Sequence, residues 1–280
     1  MVSMNKLHVE KRVAVARALV EGCSVRSTIR MTGVAKNTIL KLLADLGAAC
    51  AQYMHETMRN LSCRRLQLDE IWSFCGMKQK HIPEERRGEW GIGDVWTWIA
   101  IDADTKIVPS WLVGDRDLCF AKAFINDLAS RLTHRVQVTT DGHNAYLEAM
   151  EGAFGGDVDY AMLIKLYGNE GSKQNPETRY SPGECCGTKT VIVSGDPDRA
   201  HVSTSFAERQ NLTTRMRMRR FTRLTNGFSK KIQNLEAAVA LHYMHYNFVA
   251  IHQTLRMPPA LKAGAADHLW TIDEIVRLAG

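Results

Sequence analysis

RLQLDEIWSF, at residues 65–74, sets the fold class, because it alternates like a β-strand and is rich in large apolar side chains. Two further strands are predicted downstream, at Asp94–Asp102 (DVWTWIAID) and Lys106–Val113 (KIVPSWLV), with a tight turn between them. Neighbouring strands joined by turns favour antiparallel pairing. The sequence therefore predicts a three-stranded antiparallel meander.

Helices and strands alternate after the meander. A helix is predicted over about 118–132, a strand over 135–140 (RVQVTT), a second helix over 143–154 and a strand over 160–166 (YAMLIKL). Residues 168–200 are irregular and predict a long loop or small insertion with one short strand at 190–193. Two more helices are predicted, over 201–220 and 232–249. This order predicts an α/β fold, a mixed sheet flanked by helices.

The residues before the meander predict three short helices. The first ends at Gly22, Ser24 caps the second, and the third follows a turn at Gly33 and extends from residue 35 to about residue 46. This pattern is typical of an all-α helix-turn-helix domain, whose last helix reads DNA, with a plain three-helix bundle as the alternative. The side chains expected at the exposed start of the recognition helix, facing base edges and phosphates, are Lys36, Asn37, Thr38 and Lys41.

The positive charge of the chain is concentrated in two segments. The 280 residues carry a net charge of +6, but residues 1–62 carry +5 and residues 209–231 carry +8, which leaves −7 for the rest. Two basic segments on a slightly acidic body predict two places where a polyanion is held. Two solvated helix faces are the alternative interpretation.

Several classes of protein are not predicted. The seven cysteines form no CxxC pair, so the sequence supports neither a disulfide framework nor a zinc ribbon. Residues 1–22 contain charged side chains before any long apolar run, and no wholly apolar run of 18 residues follows. We expect a protein of the reducing cytoplasm without a membrane segment.

Two aspartates, one within a predicted strand and one at a strand end, are candidate ligands. Asp69 lies in an apolar strand, where a buried carboxylate is costly unless it is paired or bound to a cation. Asp141 closes the fourth strand, and ligands of α/β sheets bind at strand ends. If the first and fourth strands are neighbours, the two carboxylates face each other, as a divalent oxygen-ligated metal requires.

A third carboxylate is expected from a helix beside them. Glu208 is the only acidic residue between positions 198 and 236, and arginines surround it. It is either a metal ligand or a salt-bridge partner of those arginines. On a continuous helix, Arg215 and Arg219 would project to the same side as Glu208.

Three motifs together carry a resemblance to a known family. LDEIWSF (68–74), TTDGHNAY (139–146) and SFAERQNLTTRMRMRRFTR (205–223) resemble the Asp-Asp-Glu signature of bacterial insertion-sequence transposases, above all the family of insertion sequence one. The resemblance extends from about residue 8 to residue 262. These transposases belong to the retroviral-integrase-like superfamily, so the resemblance implies a ribonuclease H-like catalytic domain.

The resemblance also implies a site and a reaction. Asp69, Asp141 and Glu208 would hold two Mg²⁺ ions, for which Mn²⁺ can substitute. A water would attack the phosphodiester at a transposon end, and the freed 3′-OH would then join target DNA, with the two metals stabilising the attacking and departing oxygens. The expected DNA contacts of the second basic segment are Arg215, Arg219, Arg220 and Arg223.

Partners and layout follow from the same resemblance. We expect binding to transposon terminal inverted repeats and target DNA, in a homodimer or larger assembly, within the bacterial cytoplasm at the nucleoid. The predicted domains are a helix-turn-helix domain (1–50), a helical connector (51–62), the catalytic domain (63–262, with an insertion at about 168–200) and a C-terminal tail (263–280). A catalytically inactive DNA-binding regulator and a nuclease that does not join strands are the alternatives.

Overall fold

A six-stranded mixed sheet organises the residues that the computed structural model describes, which are 7–167, 185–222 and 225–280. The strands are Arg65–Cys75 (β1), Gly93–Asp102 (β2), Trp111–Gly114 (β3), Val136–Thr140 (β4), Val158–Tyr167 (β5) and Cys185–Ser194 (β6). Their order across the sheet is β3-β2-β1-β4-β5-β6. The first three form the predicted antiparallel meander, β1, β4 and β5 run parallel, and β6 is antiparallel to β5.

Helices precede, flank and follow this sheet. They are Val9–Val20 (α1), Val25–Thr32 (α2), Lys36–Thr57 (α3), Leu118–Ala129 (α4), Ala145–Phe154 (α5), Ser205–Arg217 (α6), Ile232–Met244 (α7), Pro259–Lys262 (α8) and Ile272–Leu278 (α9). Helix α6 packs on β1, α4 packs on α5, and α3 packs along α7. The prediction of a mixed α/β sheet flanked by helices is confirmed. None of the helices in the described ranges has both the length and the apolar composition needed to cross a bilayer.

The third helix is longer than predicted. It runs without a break from Lys36 to Thr57, so the predicted end near residue 46 and the predicted boundary at residue 50 both fall inside it. Gly47 lies inside the helix, where its missing side chain allows α3 to pack closely against α7. A Cβ atom at Gly47 would lie 2.4 Å from the Cα atom of Ala237.

The C-terminal residues, predicted as a tail, form α9 and pack against α1. The Arg12 guanidinium of α1 is buried and donates hydrogen bonds to the carbonyl oxygens of Gly280 (2.8 Å) and Val276 (3.2 Å). Ile275 of α9 is fully buried. The first and last helices of the described chain therefore share one core with α3 and α7.

Two predicted elements are interrupted by specific side-chain and backbone features. The predicted strand over 106–113 is shortened to β3. The cause is Asn247, whose side chain accepts a hydrogen bond from the N–H of Val108 and donates one to its carbonyl oxygen, both at 3.0 Å, so that this backbone is not available for strand pairing. The predicted helix over 201–220 ends at Arg217, since Met218 is extended, and residues 219–221 form a 3₁₀ turn. The expectation that Arg219 continues the face of Glu208 along one helix is therefore wrong.

Part of the predicted insertion is a strand. Residues 185–194 form β6 along β5, in place of the short strand expected at 190–193. Residues 168–184 of this predicted insertion lie outside the described residues.

Two histidines at the end of α7 are buried where charge is disfavoured. His242 and His245 are 3% and 7% exposed. Burial is the main cause that lowers the pKa of His242 to about 3 and that of His245 to about 4. The positive charge of Arg217 contributes to both shifts, and Glu21 opposes the shift at His245. Both histidines are therefore neutral in the folded chain at pH values where an unfolded histidine is protonated.

The same glycine-to-alanine change should have opposite effects at two helical sites. Gly47→Ala forces the α3–α7 contact apart and should lower the free energy of unfolding by about 1–3 kcal/mol. Gly152→Ala, in α5 with open space around it, should raise that free energy by about 0.5–1 kcal/mol. Urea denaturation of both variants checks the pair, and a neutral Gly47→Ala would contradict the close packing of α3 on α7.

Acid should destabilise the fold partly through His242. Because its folded pKa is depressed, the unfolded chain binds the extra proton, and stability falls as the pH drops below about 6.5. This histidine alone accounts for up to about 2 kcal/mol between pH 7 and pH 5. His242→Phe keeps a ring in the core and should reduce the loss in urea denaturation at the two pH values, whereas His81→Phe, at an exposed position, should leave it unchanged.

Candidate metal centre

The parallel pairing of β1 with β4 brings the two predicted aspartates together. The register aligns Arg65 with Gln137 and Gln67 with Thr139. The same offset puts Asp69 level with Asp141, two positions beyond the last pair, where the strands begin to separate. The Asp141 carboxylate is oriented there by the backbone N–H of His143, which donates to its Oδ1 at 2.9 Å.

Gln67 fixes the helix that carries the third carboxylate. Its Oε1 accepts hydrogen bonds from the backbone N–H groups of Phe206 (2.7 Å) and Ala207 (3.3 Å), in the first turn of α6. Gln67 and Asp69 are two apart on β1 and so face the same side of the sheet. One turn after Glu208, the amide nitrogen of Asn211 donates to Oδ2 of Asp69 at 2.7 Å. Helix α6 is therefore tied directly to the strand carboxylate.

The three predicted carboxylates line one cleft of about 740 Å³. Asp69 comes from β1, Asp141 from the end of β4 and Glu208 from α6. The other lining residues are Arg116, Gly142, His143, Asn144, Leu163, Ile164, Lys165, Tyr167 and Thr204. Side chains distant in the sequence thus converge on a single concave site.

Glu208 pairs with a cation across the cleft and not with the arginines of its own helix. Its Oε1 accepts hydrogen bonds from Lys165 Nζ of β5 and from Thr204 Oγ1, both at 2.5 Å. The alternative interpretation, in which Glu208 forms a salt bridge with the arginines of its own helix, therefore does not agree with the structure. A protein cation instead holds Glu208 at the wall of the cleft.

Glu70 is a carboxylate of this site that sequence reasoning missed. One carboxylate oxygen from each of Asp69, Glu70 and Asp141 lies within 4.8 Å of the other two, and Glu208 is outside this group. The Glu70 side chain is 1% exposed and accepts a hydrogen bond from Arg116 Nε at 3.0 Å. Strand alternation assigns adjacent residues to opposite faces, so Glu70 is not expected beside Asp69 from the strand pattern. The sequence did contain one signal for Glu70: it is a second carboxylate in an apolar strand, where a buried charge needs a partner.

Burial and the repulsion of neighbouring carboxylates raise the pKa of Asp69 and Glu70. Burial is the main cause that raises the pKa of Asp69 to about 6. The charges of Asp141 and Glu208 contribute to the rise, and the hydrogen bonds from the Glu70 N–H and Asn211 oppose it. Burial likewise raises the pKa of Glu70 to about 7. Crowded, desolvated carboxylate oxygens are the donor set that a hard divalent cation neutralises. The residues therefore fit a divalent metal ion, with Asp69, Asp141 and Glu70 nearest to one another and Glu208 lining the same cleft.

The four side chains predicted to read DNA begin α3. All are exposed, and the buried residues of the helix, beginning with Ile39, face the core. They are Lys36, Asn37, Thr38 and Lys41. Their shared exposure leaves one end of α3 accessible to a large ligand.

The predicted contacts of the second basic segment lie in different surroundings. Arg215 is half-buried on α6, and Arg219 is exposed in the 3₁₀ turn. Arg220 donates from Nη1 to Ser229 Oγ at 2.8 Å, and burial lowers its pKa to about 10. Arg223 lies outside the described residues. The three described arginines therefore differ in exposure and do not form one uniform exposed row.

Comparisons with known proteins give a distant likeness only. No protein-family model matches the chain, and no curated protein matches it. One solved structure that resembles it is the piggyBac transposase synaptic complex with hairpin DNA, at 11% identity and a TM-score of 0.41, covering all of this chain and 73% of that one. A likeness at this level is too distant to assign a family or an activity.

Divalent metal should stabilise the fold through the strand carboxylates. Mn²⁺ at roughly a hundred times its Kd should raise the free energy of unfolding by about 2.7 kcal/mol, because it binds the folded chain alone. Asp141→Asn should lose most of this gain, while Glu148→Gln, an exposed acid paired with Lys122 outside the cleft, should retain it. Thermal melting with and without Mn²⁺ measures the difference. An equal shift in both variants would contradict a metal site at Asp141.

Proposed function

We propose that the chain is a metal-dependent DNA transposase with an Asp-Asp-Glu catalytic domain, which binds transposon ends, cleaves them and joins them to target DNA. The observation that carries this proposal is the convergence of Asp69, Asp141 and Glu208, named from sequence motifs, on one cleft. The strand order β3-β2-β1-β4-β5, with the two aspartates on neighbouring parallel strands, agrees with the ribonuclease H-like domain that the motifs imply.

The residues of the cleft divide into metal ligands and supports. Asp69, Asp141 and Glu208 are the proposed ligands. Two bound Mg²⁺ ions would supply an activated oxygen nucleophile and neutralise the departing 3′ oxygen. Gln67 and Asn211 hold α6 so that its carboxylate faces those of the strands. Such a site cleaves DNA without a serine, tyrosine or cysteine nucleophile.

The remaining assignments extend the proposal to DNA binding. The N-terminal helices, residues 1–50, are the proposed end-reading unit, and the exposed start of α3 provides its contacts. Residues 63–262 are the proposed catalytic domain, with Arg215, Arg219, Arg220 and Arg223 as its basic contacts to the DNA backbone. Two transposon ends must be joined in one event, so the active form is a homodimer or larger.

Strand joining is the decisive test. A labelled duplex carrying one end of the DNA element that encodes the chain is incubated with Mg²⁺ and a target plasmid, and joined products are resolved by electrophoresis. Asp141→Ala should reduce joining by more than about a hundredfold, since even a supporting contact at a metal site is worth that much. Glu148→Gln is the matched control and should join normally.

The other outcomes separate the alternatives. Cleavage without joining would identify a nuclease, and specific binding without cleavage would identify a regulator. Joining that persists in the Asp141→Ala variant would contradict the assignment of Asp141 as a ligand.

A further inference from the structure

Arg116 enters the cleft from the segment between β3 and α4 and is fixed by three neighbours. Its Nε donates to Glu70 Oε2 at 3.0 Å, and its Nη2 lies 3.5 Å from Asp141 Oδ2. The guanidinium carbon lies 5.0 Å from the centre of the Trp96 ring, within cation–π range. Three strands of the sheet thus contribute contacts that hold one cation beside the carboxylate group.

Glu70 is the unusual member of this arrangement. Its side chain is almost fully buried, and Arg116 is the cation that pairs with it within the described ranges. A buried ion pair contributes little net stability compared with apolar side chains of similar size. The ion pair instead has a geometric effect: it fixes the plane of the Arg116 guanidinium, and Arg116 also lines the cleft.

The Arg116 side chain keeps hydrogen-bonding capacity for a ligand. A guanidinium has five N–H donors in a planar fork, and the contacts to Glu70 and Asp141 use Nε and Nη2. The side chain is 34% exposed and lines the cleft. A planar fork at such a place matches the oxygens of a phosphate group.

We propose that Arg116 binds the phosphodiester that is cleaved at the transposon end, and that Glu70 is the residue that positions Arg116. This inference rests on the proposed function and adds a substrate contact that lies outside the Asp-Asp-Glu triad. The competing explanation is that Arg116 only neutralises the buried charge of Glu70. The two explanations differ in whether the loss of Arg116 changes how strongly the protein binds this DNA phosphate.

The test couples Arg116 to one phosphate of the DNA. The phosphodiester cleaved in the joining assay is replaced by an uncharged methylphosphonate, and duplex binding is measured in Ca²⁺, which takes the same oxygen ligands without supporting the Mg²⁺-dependent reaction. In the wild-type chain the replacement should weaken binding roughly tenfold, the size of one charge-assisted hydrogen bond. In a Glu70→Gln/Arg116→Gln variant, which removes both charges of the buried pair, the loss should shrink, because only the contact of the phosphate with the bound Ca²⁺ is then affected by the replacement.

Controls separate binding from folding. Melting temperature establishes that the double variant is folded, and Lys122→Gln, at an exposed position of α4, should retain the tenfold loss. Glu70→Gln alone keeps the cation but frees it to move, so the loss should shrink while the salt dependence of binding stays the same. If the double variant does not fold, Arg116→Lys replaces it, since it keeps the charge but not the fork and should also shrink the loss.

The possible results distinguish failure of the role of Arg116 from failure of the transposase proposal. A tenfold loss that persists in the folded double variant, or in Arg116→Lys when that variant replaces it, overturns the role of Arg116 and leaves the transposase proposal standing. A wild-type chain that neither binds nor cleaves the duplex overturns the proposed function and this inference together.

Discussion

The parallel pairing of β1 with β4 is the contact on which the rest of the site depends. It places a strand carboxylate, Asp69, level with a strand-end carboxylate, Asp141, although the helix α4 and two strands separate them in the chain. A shift of one residue in this pairing would turn every side chain of one strand to the other face. The meander on one side and β5 on the other fix that register through their own ladders. The sheet therefore sets the distance between the carboxylates, and α6 is then attached to it through Gln67.

Bringing carboxylates together costs free energy, and the chain offsets this cost locally. Asn211 and the backbone N–H of Glu70 donate to Asp69, and the N–H of His143 donates to Asp141. Arg116 and Lys165 contribute positive charge at opposite sides of the cleft. These groups lower the repulsion without removing it, as the raised pKa of Asp69 indicates. The remaining excess of negative charge favours divalent cations over any further protein side chain.

Much of this architecture was predictable, and what escaped prediction has identifiable causes. The patterns of strands and helices predicted the mixed sheet, because they are local, whereas the adjacency of β1 and β4 stood only as a condition for bringing the two aspartates together. The length of α3 was missed because Gly47 resembles a helix end, whereas its missing side chain serves the contact with Ala237. The interruption before β3 depends on Asn247, far away in the sequence. Glu70 was missed because its closeness to Asp141 arises from side-chain reach in three dimensions.

Net charge alone overstates how much of the second basic segment is available to a polyanion. Arg217 lies 3.7 Å from Glu21, which connects α6 with the end of α1, and Arg220 is half-buried against Ser229. Both charges therefore contribute to packing between elements before any ligand binds. Arg209 and Arg219 are exposed, at opposite ends of the turns that follow Glu208. A polyanion at this surface would therefore meet separated cations and not one continuous basic row.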